Sequence, residues 1–337
     1  MNIIIDAMGG DHAPAAPLAG AAAAVRELGV TVTAVGHQDR IAEAAQAGGI
    51  SMDGITVHHA ADVLGMDEDA TDILRKKPDA SLAVAMKLLA EGQGEALVSA
   101  GSTGALLVGA TMLVKRIKGI KRAAIGTVMP GSEKPWMLID CGANVECRAD
   151  QLLQFAVMGS AYMEKVLDIP LPTVALANNG SEETKGTELQ LAAFGLLKES
   201  GLNFVGNIEA REIPTGAADV VVCDGFTGNI ILKLVEGMAK MFSGMIKEMF
   251  YKSFKTKMAG VMMKDGLADF KKRFDYTEYG GAPMLGIKKP VIKAHGSSDE
   301  KAIKNAIRQA KLCAENDLSG VIENWVAQHK AEEQADD

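Results

Sequence analysis

The stretch Asp219-Val-Val-Val-Cys-Asp-Gly-Phe-Thr-Gly-Asn-Ile-Ile-Leu-Lys-Leu-Val-Glu-Gly237 contains the pattern that decides the fold of this chain. Residues 220–223 are a short apolar and mostly β-branched run, which is typical of a buried strand. The dipeptide Asp224-Gly225 ends the run, and an amphipathic helical pattern begins within a few residues. The stretch therefore predicts a strand, a polar turn and a helix. Such a turn presents backbone N–H groups that an anion can satisfy.

Three residues, Thr227, Gly228 and Asn229, place small polar groups where this helix is expected to begin. One interpretation is an ordinary helix start in which Thr227 is the N-cap. The other interpretation is a site for a phosphate or another oxyanion, held by side chains and by free N–H groups. A single turn of this kind does not separate the two interpretations.

Three further polar turns follow apolar runs, at residues 99–105, 140–144 and 178–186, and this repetition favours the anion site. Strand C-termini meet in one crevice of an open α/β sheet, so we expect the four turns to converge there. None of the turns has the glycine pattern of a nucleotide site. The sequence predicts a site for a multiply charged, oxygen-rich substrate, with these binding residues: Ser102, Thr103, Gly104, Asn144, Asn178, Asn179, Thr227 and Gly228.

Composition and charge narrow the classes of protein that the chain can belong to. It has 337 residues, of which 48% are hydrophobic, so it can bury a large core. A net charge of −8 argues against a nucleic-acid binder. The four cysteines and six histidines are scattered without metal-ligand spacing, which predicts no metal site. No apolar stretch is long enough for a membrane span, and we expect a cytoplasmic protein.

Strand-like and helical patterns alternate along the chain, which predicts a three-layer α/β/α sandwich. We expect a single catalytic domain over residues 1–330, or two interlocked subdomains, followed by an acidic tail at 331–337. The predicted strands are 3–6, 31–36, 55–58, 96–100, 125–129, 137–141, 173–177 and 220–223. The predicted helices are 15–28, 80–91, 104–114, 151–166, 188–200, 230–250 and 300–325.

Residues 235–275 form an amphipathic segment whose composition differs from the rest of the chain. Methionine and lysine are both frequent in it, and its charge is positive in an acidic protein. The first half is interpreted either as a core helix or as a dimer contact. The second half suits an anionic membrane surface or an acidic partner, with these contact residues: Met258, Val261, Met262 and Leu267.

A series of motifs along the chain resembles that of the bacterial phosphate acyltransferases, the PlsX family. The motifs occur in the same order from Ile3 to about Trp325. Ser181 and Ala210 depart from the family pattern, and neither change alters the assignment. The motifs are Asp6-Ala-Met-Gly-Gly-Asp11, Ser99-Ala-Gly-Ser-Thr-Gly-Ala105, Asp140-Cys-Gly-Ala-Asn144, Asn178-Asn-Gly180, Gly206-Asn-Ile-Glu209, Val222-Cys-Asp-Gly-Phe-Thr-Gly-Asn229, Tyr279-Gly-Gly-Ala-Pro283 and Lys293-Ala-His-Gly-Ser-Ser298.

The resemblance implies a fold like those of isocitrate dehydrogenase and phosphotransacetylase, with a mixed sheet, a protruding amphipathic helical segment and a homodimeric assembly. It also implies a reaction in which an acyl-carrier-protein thioester and inorganic phosphate give an acyl phosphate. That product feeds glycerol-3-phosphate acylation in phospholipid synthesis. Together with the basic, methionine-rich segment, this reaction predicts a cytoplasmic protein that is peripherally associated with the inner face of the cell membrane, where the glycerol-3-phosphate acyltransferase is a further candidate partner.

The chemistry of this reaction requires no enzyme nucleophile and no cofactor, because phosphate is itself an anionic nucleophile at neutral pH. Lys185 is the candidate cation for phosphate, and Asn229 and Asn144 are candidate oxyanion donors. His295 is a candidate for orienting phosphate or for protonating the leaving thiolate. Asp224 is a candidate for orienting Lys185. Ser297 completes the predicted binding residues.

Two other functions are compatible with the sequence. A decarboxylating NAD(P)-dependent dehydrogenase of the same fold requires a divalent metal and a nucleotide pocket, for which the sequence offers no motif. A non-catalytic membrane scaffold for lipid-synthesis enzymes requires only the basic, methionine-rich segment. Turnover of NAD(P) distinguishes the first alternative, and loss of lipid synthesis on changing Lys185 alone argues against the second.

Overall fold

Eleven strands form one mixed sheet in a computed structural model, which describes residues 1–132, 134–266 and 280–335. The strand order across the sheet is β3-β2-β1-β4-β11-β10-β5-β6-β9-β7-β8. The strands are β1 (Asn2–Asp6), β2 (Thr31–Gly36), β3 (Ile55–His59), β4 (Ala96–Ser99), β5 (Ala124–Met129), β6 (Trp136–Ile139), β7 (Val174–Asn178), β8 (Phe204–Glu209), β9 (Val220–Val222), β10 (Ala282–Leu285) and β11 (Val291–Lys293).

Helices connect most of the successive strands and cover both faces of the sheet. A π-helical turn, Ala110–Lys115, continues α5, and a short 3₁₀ turn occupies Ile213–Thr215. The helices are α1 (Ala15–Leu28), α2 (Gln38–Gly48), α3 (Asp72–Arg75), α4 (Ser81–Ala90), α5 (Thr103–Gly109), α6 (Ala149–Leu167), α7 (Glu188–Glu199), α8 (Gly225–Tyr251), α9 (Phe254–Met262), α10 (Glu300–Glu315) and α11 (Leu318–Ala335).

The sheet contains two sets of parallel strands that run in opposite directions. One set is β3, β2, β1, β4 and β11, and the other is β6, β9, β7 and β8. Between them lie β10 and β5, each antiparallel to both of its neighbours. The carboxyl ends of the two sets consequently point in opposite directions, and not toward one end of the sheet as the sequence led us to expect, although turns from both sets line one cavity over β5.

Two hydrophobic layers fill the space between the sheet and its helices. Within β1, Ile3 and Ile5 belong to one layer and Ile4 to the other, because alternate strand residues face opposite sides. Phe155 of α6 packs in the first layer, and Met86 of α4 packs in the second. The arrangement confirms the predicted α/β/α sandwich.

All eight predicted strands are present, with ends shifted by at most two residues, whereas β8, β10 and β11 and the helices α2 and α3 were not predicted. The predicted helix 300–325 is wrong as a single element, since it is divided into α10 and α11. Asp317 adopts a left-handed backbone conformation with a φ of 43°, which ends the first helix. Its carboxylate then accepts the backbone N–H of Gly320 at 3.3 Å, which caps the second helix.

The pair α8 and α9 leaves the body of the protein. Gly225 and Gly228 are the buried residues of α8, and α9 has none. The apolar stripe is exposed in a single chain, so the described part of the segment is not a core helix. Leu267, the last predicted contact residue, lies outside the described residues. No helix in the described ranges has the length and hydropathy that a membrane crossing requires.

Candidate functional site

The turn after β6 packs directly against the first turn of α8, which brings two of the predicted polar turns together. The backbone N–H of Gly225 donates to the carbonyl oxygen of Asn144 at 2.7 Å. A side chain on Gly228 would collide with the carbonyl oxygen of Asp140, so glycine permits this close approach. Gly228 therefore contributes helix packing, and its predicted contact with substrate stays a prediction.

Asp140 and Asn144 form a buried hydrogen-bonded framework beneath this contact. The Asp140 carboxylate accepts the backbone N–H of Ile125 at 2.9 Å and that of Asn144 at 2.7 Å. The side-chain amide of Asn144 donates one N–H to Asp140 at 2.9 Å and the other to the carbonyl oxygen of Ala123 at 2.7 Å. Because both N–H groups are engaged, Asn144 is not free to act as the predicted oxyanion donor in this structure.

The N-cap of α8 is Asp224, which corrects the interpretation that Thr227 caps this helix. One carboxylate oxygen of Asp224 accepts the backbone N–H of Thr227 at 2.8 Å, and the other accepts its hydroxyl at 2.8 Å. The side chains of both residues therefore stabilise the helix start. These contacts account for both carboxylate oxygens of Asp224, so its predicted role in orienting Lys185 stays a prediction.

A cavity of about 350 Å³ lies over β5, between the two sets of parallel strands. Its wall includes Ile125 and Thr127, which lie on the same side of this strand. Three of the four predicted turns contribute to it, together with the segment that follows β11. The contributing residues are Thr103 from the turn after β4, Cys141 and Gly142 from the turn after β6, Asn229, Lys233 and Glu236 from α8, and Lys293 and His295.

Lys293 places a largely buried ammonium group at this cavity. Its Nζ donates to the carbonyl oxygen of Ala100 at 3.3 Å and also to that of Ala294. Burial lowers the pKa of Lys293 to about 8, and the carboxylates of Asp11 and Asp6 oppose that shift. The group is still protonated for the most part at neutral pH, so the cavity holds a cation that is only weakly compensated.

Asn229 and Cys141 lie on the wall of the same cavity and differ in what they can do. The side-chain amide of Asn229 is exposed and has no hydrogen-bond partner among the described residues, so it is free to donate to a substrate oxygen. The Cys141 thiol donates to the carbonyl oxygen of Leu138 at 3.2 Å. Burial raises the pKa of Cys141 to about 12, which makes this thiol a poor nucleophile.

His295 is held in a defined orientation by the residue two positions later. Its Nδ1 accepts the backbone N–H of Ser297 at 3.2 Å and lies 2.8 Å from the Ser297 hydroxyl. A neutral His295 therefore carries its proton on Nε2. Ser297 positions the ring and does not itself line the cavity.

Lys233 and Glu236 form an ion pair at 2.8 Å on the wall of the cavity. Neither residue was among the predicted site residues, and Lys293 opens one of the quoted motifs but had no predicted role. A lysine that ends the apolar run Val291-Ile292-Lys293 is a signal that could have indicated Lys293. Its burial depends on pairing between β11 and β4, which lie almost two hundred residues apart.

Several predicted residues lie outside the cavity lining. Lys185 is about half exposed and lies 3.9 Å from Glu182, in the turn after β7. The Asn178 amide closes this turn by donating to the carbonyl oxygen of Lys185 at 3.1 Å. The turn shares a sheet edge with the turn after β6, because β6, β9 and β7 are parallel. The predicted roles of five residues outside the cavity lining stay predictions: Lys185, Asn178 and Asn179 at the turn after β7, and Ser102 and Gly104 at the start of α5.

The chain matches known proteins over almost its whole length. Residues 1–320 match the sequence model of a family described as fatty acid synthesis protein. The phosphate acyltransferase of Alkaliphilus oremlandii is 49% identical over 327 residues, which cover 97% of this chain and 98% of that protein. The phosphate acyltransferase of Clostridium botulinum (strain Loch Maree / Type A3) is 46% identical over 333 residues, which cover 96% and 99% of the two chains.

The fold is similar to that of a solved phosphotransacetylase from Streptococcus pyogenes, with a TM-score of 0.65 over 93% of this chain and 94% of that chain. The two sequences are 17% identical, so this likeness bears on the fold alone. It agrees with the phosphotransacetylase-like architecture that the motifs imply. On the sequence matches, the chain belongs to the fatty acid synthesis protein family whose relatives are named phosphate acyltransferase.

Proposed function

We propose that this protein transfers a fatty acyl group from an acyl-carrier-protein thioester to inorganic phosphate and releases acyl phosphate for glycerol-3-phosphate acylation. The observation that carries the proposal is the combination of a buried ammonium, Lys293, with a free amide, Asn229, on one cavity wall. An anionic nucleophile and a developing oxyanion are the two groups that such an arrangement stabilises. Family membership supplies the second, independent support.

In the proposed reaction, one phosphate oxygen attacks the carbonyl carbon of the thioester. The carbon–sulfur bond then breaks, and sulfur leaves with the bonding electron pair. Lys293 holds the phosphate and offsets its charge, while Asn229 donates to the oxyanion of the tetrahedral intermediate. Cys141 takes no covalent part, because its thiol stays protonated at neutral pH.

His295 is proposed to protonate the leaving thiolate. Its Nδ1 is occupied by Ser297, so Nε2 carries the mobile proton. Lys185 supplies a second cation in this proposal, since its turn lies at the same sheet edge as the turn after β6. The apolar side chain of Leu232 lines the cavity, and α8 continues outward from it as a surface for the acyl chain.

The test is a reaction of purified protein with an acyl-carrier-protein thioester and phosphate. We expect free thiol and acyl phosphate to appear in equal amounts, with no change in added NAD(P). Thiol release without acyl phosphate would indicate a thioesterase. Reduction of NAD(P) would instead support the dehydrogenase alternative.

We further propose that the protein is a homodimer and that it attaches reversibly to the inner face of the cell membrane. We assign the first half of the exposed stripe, with Met241 and Phe242 each 47% exposed, to the dimer contact. We assign α9 to the lipid surface, where Val261 and Met262 are 68% and 86% exposed. Exposed lysines flank these side chains, and each contributes about 1 kcal/mol at an anionic surface. Apolar insertion adds to this attraction.

Replacing Val261 and Met262 with aspartate is expected to release the protein from anionic liposomes, because the change removes insertion and adds repulsion. Sedimentation with liposomes measures the binding, and turnover of soluble substrate is expected to stay within about twofold of normal. The matched control is Leu171→Asp, which changes another apolar residue that is 79% exposed. Loss of the dimer in the double variant, seen by analytical ultracentrifugation, would identify α9 as a subunit contact.

A further inference from the structure

A second charged surface, the basic ridge, lies outside the reaction cavity and outside the α8–α9 pair. Residues 115–122 carry five positive charges and no negative charge in a chain whose net charge is −8. All five of these cationic side chains are exposed, and the exposed Lys288 lies beside them. The basic ridge consists of Lys115, Arg116, Lys118, Lys121, Arg122 and Lys288.

The backbone of the ridge is fixed to the body of the protein, so the cations are held outward. Ile117 and Ile120 are buried, with exposed fractions of 3% and 5%. The backbone N–H of Ile117 donates to the carbonyl oxygen of Gly286 at 3.0 Å. The backbone N–H of Lys288 donates to the carbonyl oxygen of Lys115 at 3.0 Å. A fixed array of cations presents a directional positive field.

Few carboxylates neutralise the positive charge of the basic ridge. Lys121 pairs with Asp150, which also contacts Arg148. In the part of the chain that the structure describes, Lys118 and Arg122 have no carboxylate within ion-pair distance. In an acidic protein, such a local excess of positive charge indicates a surface selected for an acidic partner.

A second cavity, of about 380 Å³, opens beside the ridge. Arg116 and Arg122 contribute its charged part, and its apolar lining includes Leu107, Val108 and Met112. Ala143 and Asn144 also line it, whereas the two preceding residues line the reaction cavity. The two cavities therefore lie on either side of a single backbone turn. An arm bound in the second cavity would therefore lie one backbone turn away from the reaction cavity.

We propose that the acidic acyl carrier docks on the basic ridge and that its phosphate-linked thioester arm enters through the second cavity. This inference rests on the proposed acyl transfer and names the surface that its carrier-bound substrate uses. The ridge supplies charge complementarity, and Arg116 or Arg122 pairs with the phosphate of the arm. The apolar lining accommodates the uncharged remainder of the arm.

An acyl carrier fits the ridge better than a lipid surface does. A membrane is recognised by cations next to exposed apolar side chains that insert, as on α9. Within residues 115–122, the apolar residues Ile117 and Ile120 face inward, and the exposed apolar side chain of Met112 lines the adjoining cavity. The adjoining cavity adds a concave site that a flat bilayer cannot fill.

The first experiment compares Lys118→Glu/Lys288→Glu, which changes two ridge cations that do not line the second cavity, with the wild-type protein and with Arg40→Glu. Arg40 is an exposed cation on α2, beside the edge strand β3 at the far side of the sheet. Fluorescence anisotropy of labelled acyl carrier measures binding at several salt concentrations. We expect the Kd of the double variant to rise roughly tenfold or more, with a weaker salt dependence, and Arg40→Glu to bind normally.

The second experiment compares two thioester substrates, acyl carrier and acyl-pantetheine, which lacks the carrier. The ridge variant is expected to raise KM for the carrier substrate only. Val108→Phe narrows the second cavity and is expected to raise KM for both substrates, because both contain the arm. Thermal unfolding of each variant separates these effects from loss of fold.

Several outcomes would overturn the docking proposal. They are normal carrier binding by the ridge variant, equal effects of that variant on both thioesters, or no effect of Val108→Phe on either. Loss of the dimer, or loss of liposome binding with normal carrier binding, would assign the ridge to another copy or to lipid. If the wild type binds carrier through the ridge but transfers no acyl group to phosphate, the docking stands and the proposed function fails.

Discussion

Lys293→Met is expected to lower kcat/KM for phosphate by about 10²–10³-fold, because it removes the buried ammonium that we assign to the phosphate. The apolar methionine has similar length, and the fold is expected to persist because a largely buried charge is removed without leaving a charged partner in direct contact. Steady-state kinetics with varied phosphate measure the loss, and thermal unfolding checks the fold.

The pH dependence of KM for phosphate gives an independent measure of the role of the Lys293 charge. The pKa of Lys293 is lowered to about 8, so its charge is present below pH 8 and is lost as the pH rises above that value. KM for phosphate is therefore expected to rise above pH 8 in the wild type. In Lys293→Arg the guanidinium stays charged, and this rise is expected to disappear. Lys185→Ala serves as the comparison. If this variant loses more kcat/KM for phosphate than Lys293→Met does, the cation that binds phosphate is Lys185, in the turn after β7.

Asn229→Ala is expected to lower kcat by roughly a hundredfold, which is the usual cost of losing one oxyanion donor. The side chain is exposed on the cavity wall, so the substitution leaves no buried group unpaired. Because the donor acts in the transition state, kcat and kcat/KM for the thioester are expected to fall together.

The matched control for this variant is Asn144→Asp, which alters the neighbouring framework asparagine. Its amide donates to Asp140 and to Ala123, so the change is expected to destabilise the protein by placing two carboxyl groups together. A fall in thermal stability for Asn144→Asp and a fall in kcat for Asn229→Ala are the expected pair of results. Normal kcat in Asn229→Ala would remove this residue from the mechanism.

The fold could be predicted from the sequence where strands have strong local patterns. The predicted strands 220–223 and 137–141 each begin with an apolar run, and they correspond to β9 (Val220–Val222) and β6 (Trp136–Ile139). The strands β10 and β11 were missed because they are short, and β10 follows two glycines and contains Pro283. The reversal of direction runs through β10 and β5, and it depends on pairing between residues far apart in the chain.

The candidate site could be predicted in part for the same reason. Thr103 and Asn229 follow local strand-turn-helix patterns, and both reach the cavity. The burial of Lys293 arises only when β11 pairs with β4, so local sequence gave no measure of its environment. The engagement of both Asn144 N–H groups likewise depends on Asp140 and on Ala123, which lies on a different segment. Motifs therefore indicated where polar groups occur in the chain. Tertiary packing determines which of these groups keep hydrogen-bonding capacity for a substrate.

The most direct test of direct attack by phosphate is rapid mixing of the enzyme with an equimolar acyl-carrier thioester while free thiol is followed. Without phosphate, we predict no burst of thiol, because no side chain accepts the acyl group. With phosphate, we predict one thiol per acyl phosphate formed, at a rate that saturates with phosphate concentration. A phosphate-independent burst equal to the enzyme concentration would reveal an acyl-enzyme and contradict the mechanism.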